Sequence, residues 1–328
     1  MPRRFRIACV PACLTTRCGL FAVATASVLM LGGVAYAQPS RSSTPLLTRT
    51  PSGARIVLPT PGLAHVIVNT LWSERETALA SLDTTKLEPF EVASAKQQDV
   101  AYINSVRCNC EARKDLHPAD AVIAQIPKTS VQRVFFAQVH TTNARTHAPV
   151  WYVVAVVGND AGAWKLAYIN LSGDKAAPPL GQLTGSSGYT PPVTAQSYER
   201  MTRLAENSVK HAMAHGKLTG STEFGAIIHT RYTLEAGKDG IYGLALPSGD
   251  VLSCFTLHGI DTYSFPSGLQ QGPTQSQWGH LLPPGIYKSI TADSAAPVCA
   301  AGNGVGDATG TFRFSYDQRE ITATGVRL

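Results

Sequence analysis

The sequence predicts an α+β protein of two domains, each with helices packed on an antiparallel sheet. Apolar residues first recur at helical spacing, over residues 62–81 and 89–107. The apolar period then falls to two through the strand-like segments between residues 121 and 171. After residue 193 the same order, a helix and then strands, occurs again. Helices followed by runs of strands are typical of α+β domains.

In the first domain, residues 62–175, two helices precede four strands. The strands are predicted over residues 121–126, 131–141, 150–157 and 164–171. The segment Trp151-Tyr-Val-Val-Ala-Val-Val157 is apolar at both parities, so we expect this strand to be covered on both faces. The helices can cover one face, and the second half of the chain is the candidate for the other.

Residues 176–192 are rich in Pro, Gly and Ser and are predicted to be a linker. The second domain, residues 193–328, opens with a helix that ends before Gly216. Its strands are predicted over residues 225–234, 241–246, 251–262, 286–292, 311–316 and 320–326.

The first 37 residues have the pattern of an export signal. Arginines at the start are followed by an uncharged apolar segment, residues 19–33, and by Ala35-Tyr36-Ala37, so we expect cleavage before Gln38. The apolar segment falls short of the roughly 20 residues that cross a bilayer, although an uncleaved anchor is the alternative. Residues 38–61 are rich in Pro, Ser and Thr and are predicted to be a disordered leader. The protein is therefore expected to be secreted or associated with the cell envelope, and to meet a membrane only through the signal segment before cleavage.

The charge of the mature chain argues against nucleic-acid binding. The signal segment holds four arginines and no acid, so removing it lowers the formal charge from +6 to +2. No run of Lys or Arg remains that could follow a phosphate backbone.

Four cysteines remain after cleavage: Cys108, Cys110, Cys254 and Cys299. An even number in an exported chain favours disulfides. A zinc site would need about four ligands in paired spacings, and a redox centre would usually be CxxC; neither pattern is present. We favour pairing within each domain, Cys254 with Cys299 and Cys108 with Cys110, with cross-domain bridges as the alternative.

No other motif indicates a metal or a cofactor. His211 and His215 are one helical turn apart, but the glutamate of a zinc-protease helix is missing. We interpret them as part of a basic helix end that faces the negative end of the dipole. The glycine-rich segment 301–306 does not lie between a strand and a helix, so it does not predict a phosphate loop.

Several residues of the first domain together resemble an uncharacterised domain family of actinobacterial exported proteins. They are Trp72, Arg75, the Ala78-Leu79-Ala80 step, Asp83, the aromatic strands and the Ala163-Trp164-Lys165-Leu166 strand. The layout is similar to the nuclear transport factor 2-like cone, in which helices lie across a curved antiparallel sheet. The resemblance covers residues 62–175 best and residues 190–328 less well. It implies a secreted binding or accessory role and transfers no catalytic residue.

In a cone of this kind, a pocket opens between the helices and the concave face of the sheet. Tyr102, His140, Tyr152 and Tyr168 could supply its polar groups, and a His or Asp there could act as a base, as in cone-fold isomerases and dehydratases. The alternative is that these tyrosines pack in the core with their hydroxyls at its rim.

The sequence thus predicts an exported protein that is not an enzyme and needs no cofactor. We expect it to bind a protein, a peptide or a wall component at the cell envelope. An enzyme with a cone pocket and a structural subunit of a surface complex are the alternatives. A closed cavity lined by a His/Asp pair would favour the enzyme, and a shallow apolar groove or a filled cavity would favour binding.

Overall fold

The computed structural model describes residues 56–111, 113, 118–142, 148–159, 162–172, 180, 184, 188–214, 217–222, 225–271, 281–304 and 319–327. All of them fall within one compact unit, Thr44–Leu328. The predicted signal segment 1–37, leader residues 38–55, the predicted strand 311–316 and His215 lie outside the described residues. The domain boundaries at residues 62–175 and 193–328 stay a prediction.

The described residues include the α-helices α1 (Pro61–Ser81), α2 (Ala93–Arg107) and α3 (Ala195–Ala214), and a short 3₁₀ helix at Thr84–Leu87. The side chain of Thr60 caps α1 by accepting a hydrogen bond from the Leu63 amide, as its residue type favours. The helix predicted to begin at residue 89 begins at residue 93 instead. The preceding segment forms an isolated parallel bridge to a strand, Glu91 with Leu166, and this pairing holds its backbone extended.

The first sheet has five strands in the order β4-β3-β2-β1-β5. They are β1 (Ala121–Pro127), β2 (Val134–Thr142), β3 (Pro149–Gly158), β4 (Trp164–Ser172) and β5 (Tyr189–Thr190). The four predicted strands are present and pair antiparallel. The short strand β5 lies in the segment predicted as a linker, and it pairs parallel to β1, so the sheet is not purely antiparallel.

The second sheet also has five strands, in the order β10-β9-β8-β7-β6. They are β6 (Lys217–Thr222), β7 (Gly225–Ala245), β8 (Val251–Gln271), β9 (Gly285–Gly302) and β10 (Arg319–Arg327). The segments 225–234 and 241–246, predicted as two strands, form one strand, β7. A register shift between Ala236 and Ile241 interrupts its ladder with β8, which explains the break in the sequence pattern.

The helices α1 and α2 cover one face of the first sheet. Their buried residues form one core with the strand residues of that face, such as Phe135 and Val139 of β2 and Val154 and Val156 of β3. The large side chains at the centre of this core, among them Trp72, Leu79, Ile103 and Phe135, are almost fully buried. The space between helices and sheet is therefore filled by side chains.

The second sheet covers the other face of the first. Val153 and Ala155 of β3 pack in a core with Leu252 and Cys254 of β8, and all four are completely buried. The prediction that β3 is covered on both faces is confirmed, because alternate residues of this strand enter two different cores.

The outer face of the second sheet packs against α3. Met201 and Leu204 of this helix share a core with Phe255 of β8 and Val298 of β9. The structure is thus α+β, as predicted, with two sheets face to face and helices on the outer side of each. No described helix combines the length and apolarity needed to span a membrane.

Candidate binding cleft

A cleft lies between α2 and β10. Its volume is about 300 Å³, at the lower end of the range for small-molecule sites. One face of α2 forms most of its wall. The lining residues are Ala93, Lys96, Gln97, Val100, Ala101, Asn104 and Ile321.

The helix α2 can supply this wall because its two opposite faces have different surroundings, the cleft on one side and the core on the other. Its lining residues recur every three or four positions, so they lie on one face of the helix. Ala95, Ile103 and Val106 lie on the opposite side and pack in the core over the first sheet. One face of α2 therefore supports the fold, and the other borders the cleft.

The strand β10 supplies the opposite wall. Among the described residues it is one of the two edge strands of the second sheet, and its ladder with β9 shifts register between Glu320 and Thr322. Ile321 is the residue at this shift. A bulge redirects the side chain that it carries, and here Ile321 lines the cleft.

The cation of the cleft is paired. The Lys96 Nζ atom lies 2.7 Å from Oε1 of Glu88, whose side chain is largely exposed. The hydrogen bond from Lys96, together with its charge, lowers the pKa of Glu88 below its ordinary value. The remaining lining residues are aliphatic or carry amides.

Gln97 connects the cleft to a buried histidine–aspartate pair. Its Nε2 donates a hydrogen bond to Oδ1 of Asp239 at 3.0 Å. The other oxygen of Asp239 lies 2.6 Å from Nε2 of His258. A histidine nitrogen that close to a carboxylate must donate its proton, so His258 carries hydrogen on Nε2.

Asp239 reaches this position because of the irregularity in β7. Gly237 and Gly240 on either side of it have φ of +76° and +104°, which favour glycine. A Cβ on Gly240 would lie 2.8 Å from the Tyr242 hydroxyl, and that hydroxyl donates a hydrogen bond to the Asp239 carbonyl. The segment thus turns the carboxylate towards β8 and α2.

Two buried polar atoms in this group have no hydrogen-bond partner: Oε1 of Gln97 and Nδ1 of His258. Oδ1 of Asp293 on β9 lies 4.0 Å from Nδ1 of His258, which is too long for a hydrogen bond. Buried polar groups are normally satisfied, so an unpaired set beside a cleft is informative.

A separate charged cluster is buried on the other side of α2. The guanidinium of Arg75 on α1 forms two hydrogen bonds to Asp99 of α2, at 2.5 and 2.8 Å. Its Nε lies 3.6 Å from Glu91, and its Nη1 lies 3.3 Å from Glu76. It also stands over the Trp72 ring, 4.8 Å from the centroid. One cation therefore serves three carboxyl groups.

This imbalance shifts the pKa values within the cluster. Burial raises the pKa of Glu91 well above its ordinary value, and the neighbouring Asp99 charge raises it further. Burial is the largest single effect and would lower the pKa of Arg75, but the acidic neighbours, led by the charge of Asp99 and its hydrogen bond, together outweigh burial and the pKa is raised. The neutral form of Glu91 is thus favoured, while Arg75 and Asp99 form the ion pair. The cluster lies within the core and joins α1 to α2.

The four residues predicted to line a cone pocket are divided between two faces of the first sheet. Tyr102 of α2 and Tyr152 of β3 lie on the helix side. Tyr102 is buried in the core, and the Tyr152 ring packs 5.0 Å from the Trp72 ring. These two aromatic side chains help to fill the space where a cone pocket would open.

His140 and Tyr168 belong to other surroundings. The His140 ring packs 4.3 Å from Trp151, and its Nδ1 lies 3.4 Å from Asp120. Tyr168 is fully buried between the sheets, where its hydroxyl contacts Asn170 and the sulfur of Cys299. That burial raises its pKa well above the ordinary value. The structure does not bring the four residues together at one cavity.

The predicted cysteine pairing within each half of the chain is confirmed. Cys108 bonds Cys110 at the end of α2, and Cys254 bonds Cys299 directly across the ladder between β8 and β9. The second bridge is completely buried between the two sheets.

Sequence reasoning missed the polar group beside the cleft. The spacing Gly237-Lys-Asp-Gly240 inside a strand pattern was the signal available, because paired glycines in a strand indicate a bulge. Nothing in that pattern points to His258 or to α2. In the described part of the chain, no three His, Cys, Asp or Glu side chains are grouped so that they could hold a metal ion.

No protein-family model, no curated protein and no solved structure matches this chain. The resemblance to exported proteins with a nuclear transport factor 2-like layout therefore stays a prediction, and the candidate site stands on its geometry.

Proposed function

We propose that this is an exported, non-catalytic binding or accessory protein of the cell envelope, which recognises a protein, peptide or wall component through the cleft between α2 and β10. The proposal is supported by the position of the cleft relative to the core. The region between the helices and the first sheet, where a cone-fold enzyme would hold its substrate, is filled by buried side chains. The concave surface lies outside it, on the far face of α2.

The chemistry of the cleft suits recognition. Val100 and Ile321 offer apolar surface, and Gln97 and Asn104 offer amides. Lys96 is already paired with Glu88. An apolar surface with a few fixed polar groups is the usual composition of a binding site.

Export is supported by the cysteines. Both pairs of the mature chain lie at disulfide geometry, and stable disulfides are typical of proteins outside the reducing cytosol. Together with the signal pattern of residues 1–37, this favours a role at or beyond the cell envelope.

Retention of envelope material by immobilised protein tests the proposal. The exported chain, with its disulfides intact, is compared with the variants Ile321→Arg and Asn104→Trp, which fill the cleft with larger side chains. We expect both to reduce retention of the envelope component at least about tenfold, the effect of losing roughly 1.4 kcal/mol.

Val66→Arg is the matched control, because Val66 is 58% exposed on α1, away from the cleft residues. It should retain the component as the wild type does. Equal retention by the wild type and both cleft variants, with circular dichroism showing that all are folded, would refute the cleft as the recognition surface.

The second candidate is a small-molecule enzyme of the isomerase or dehydratase type, and the His258–Asp239 pair is the observation that favours it. A histidine oriented by a carboxylate is a common general base. If this candidate were right, His258→Gln would abolish turnover of a substrate that the wild type converts. On the binding proposal, the wild type converts none of the ketosteroid or hydroxy-acid probes offered.

A further inference from the structure

The disulfide between Cys108 and Cys110 differs from the other bridge in its access to solvent. Both of its cysteines are half-buried, and Asn109 between them is exposed. The Cys254–Cys299 bridge, in contrast, is completely buried between the two sheets. A thiolate breaks a disulfide by attacking one of its sulfur atoms directly. A thiol from solution therefore has access to the first bridge, and the fold shields the second.

The turn that carries the accessible bridge is held by backbone hydrogen bonds. At the end of α2, the Asn109 amide donates to the Val106 carbonyl at 3.0 Å, and the Cys110 amide donates to the Ser105 carbonyl at 2.9 Å. Asn109 has φ of +57°, the left-handed conformation that often ends a helix and that asparagine tolerates. The bridge spans only 2 positions within this turn, so it removes little loop entropy from the unfolded chain. Opening it should leave the fold in place.

The two sulfur atoms of this bridge have different surroundings. The Cys108 sulfur lies 3.2 Å from the Ser105 carbonyl oxygen, close enough for a thiol there to donate a weak hydrogen bond. The Cys110 sulfur lies 3.7 Å from the Cys108 carbonyl oxygen, which is a longer and weaker contact. Cleavage that releases Cys108 therefore gives its thiol an acceptor that is already in place. Cys110 is then the sulfur that an incoming thiolate joins.

We propose that Cys108–Cys110 is a thiol–disulfide exchange site that oxidises a dithiol of an exported polypeptide. A substrate thiolate attacks the Cys110 sulfur and forms a new S–S bond, while the bond between Cys110 and Cys108 breaks. Cys108 leaves with the electron pair of that bond and takes up a proton. The second substrate thiolate then attacks the substrate sulfur of the mixed disulfide and releases Cys110, which is protonated in turn. The substrate loses two electrons and gains a disulfide, and the cysteine pair gains both electrons.

This activity goes beyond the proposed function, because neither cysteine of the bridge lines the cleft. Its substrate is a polypeptide with two free thiols, which is what a disulfide-forming exported chain has before its own bridges close. One bridge oxidises one dithiol. A further reaction requires a disulfide oxidant of the same compartment, which restores the bridge by the same exchange chemistry.

Single-turnover exchange with a reduced peptide that contains two cysteines tests the inference. The full exported chain, with both bridges formed, is mixed with the peptide at neutral pH, quenched with acid and alkylated, and mass spectrometry then locates the free thiols. We expect one peptide to be oxidised for each protein molecule. Thiols should appear at Cys108 and Cys110 at least about tenfold faster than at Cys254 and Cys299, because exchange depends on access to the sulfur atoms. Circular dichroism should show that the protein stays folded meanwhile.

Cys108→Ala/Cys110→Ala is the control, because it keeps the buried bridge and removes the accessible one. It should stay folded and lose the fast oxidation of the peptide. Glutathione, a monothiol, should form a mixed disulfide on Cys110 of the wild type. Peptide oxidation by the double variant at the wild-type rate, or release of all four thiols together as the protein unfolds, would overturn the inference. Faster reduction of the bridge by glutathione than by the peptide, at equal thiol concentration, would overturn the choice of a polypeptide dithiol, and a mixed disulfide on Cys108 would overturn the assigned order of attack.

Discussion

Glu91 illustrates at the scale of one residue how this protein places charge in its core. Its side chain is completely buried, and neither carboxyl oxygen accepts a hydrogen bond. The nearby guanidinium of Arg75 is already engaged in two hydrogen bonds with Asp99. A carboxylate without a full partner is costly in such surroundings, so the neutral form prevails and the pKa of Glu91 is raised.

This raised pKa gives stability a definite pH dependence. The folded state holds the Glu91 proton more tightly than the unfolded chain, whose carboxyl titrates near the ordinary value of 4.5. Stability is therefore full below that pH and is lost as the pH rises from there through the raised pKa. Glu91→Gln removes this slope. In urea titrations we expect the variant to match the wild type near pH 4 and to be more stable by about 1 kcal/mol or more at pH 7.

Glu74→Gln makes the same chemical change on the surface and should leave the pH profile as it is in the wild type. A wild-type stability that does not decline between pH 4.5 and pH 7 more steeply than that of Glu91→Gln would contradict a neutral Glu91.

Arg75 is expected to be far more sensitive than a surface arginine. Arg75→Leu leaves the buried Asp99 without its cation, and breaking a buried ion pair in this way costs about 3–5 kcal/mol. Arg203, which is 55% exposed and pairs with Glu199 on α3, is the control. Arg203→Leu should change the free energy of unfolding by less than about 0.5 kcal/mol. Similar losses for the two variants would mean that the Arg75 cluster is solvated.

At the scale of elements, the parts that could be predicted are those with a regular apolar pattern. Helix α1 and strands β1–β4 follow their periodicities closely, and the continuous apolar segment of β3 predicted that both of its faces would be buried. The length of β7 could not be predicted in this way, because Gly237 and Gly240 interrupt the alternation while the pairing with β8 resumes at Ile241.

The candidate site was beyond sequence reasoning for a related reason. His258 and Asp239 are 19 residues apart, and Gln97 reaches Asp239 from 142 residues away. Their meeting depends on a bulge and on the packing of α2 against the far sheet. Neither leaves a periodic signal. Tyr152 and Tyr168 of the predicted pocket lie on strands as expected, but strand parity puts them on opposite faces of the sheet.

The two disulfides are expected to differ in their effect on stability. Cys254–Cys299 joins residues 45 positions apart, so it removes much loop entropy from the unfolded chain, whereas Cys108–Cys110 spans only 2 positions. The double variant Cys254→Ala/Cys299→Ala should lose about 2–4 kcal/mol in chemical denaturation. Cys108→Ala/Cys110→Ala is its control and should lose less. The opposite order would contradict a structural role for the buried bridge.

At the scale of the whole molecule, the two sheets exist as stable layers because they share one core. Val153 and Phe136 of the first sheet and Leu252 and Cys254 of the second are completely buried there. Helices also pack on the outer side of each sheet, α1 and α2 on the first and α3 on the second, so outward-facing apolar residues of both sheets are buried as well.

A charge placed in this shared core should unfold the protein or separate its sheets. Val153→Asp introduces a buried carboxyl without a partner, and we expect a loss of more than about 3 kcal/mol in stability. Val131 is 46% exposed, so Val131→Asp is the control and should stay within about 0.5 kcal/mol of the wild type. Equal stability of the two variants would show that the sheets do not pack on each other.

Site-specific photocrosslinking in the source cells tests the central claim, that the cleft between α2 and β10 is the recognition surface, most directly. A photoreactive phenylalanine analogue is placed at Asn104 or Ile321 in the cleft, or at Val66 on α1. We predict the same covalent adduct from both cleft positions and none from position 66. An adduct from position 66 alone, or from all three positions alike, would contradict the claim.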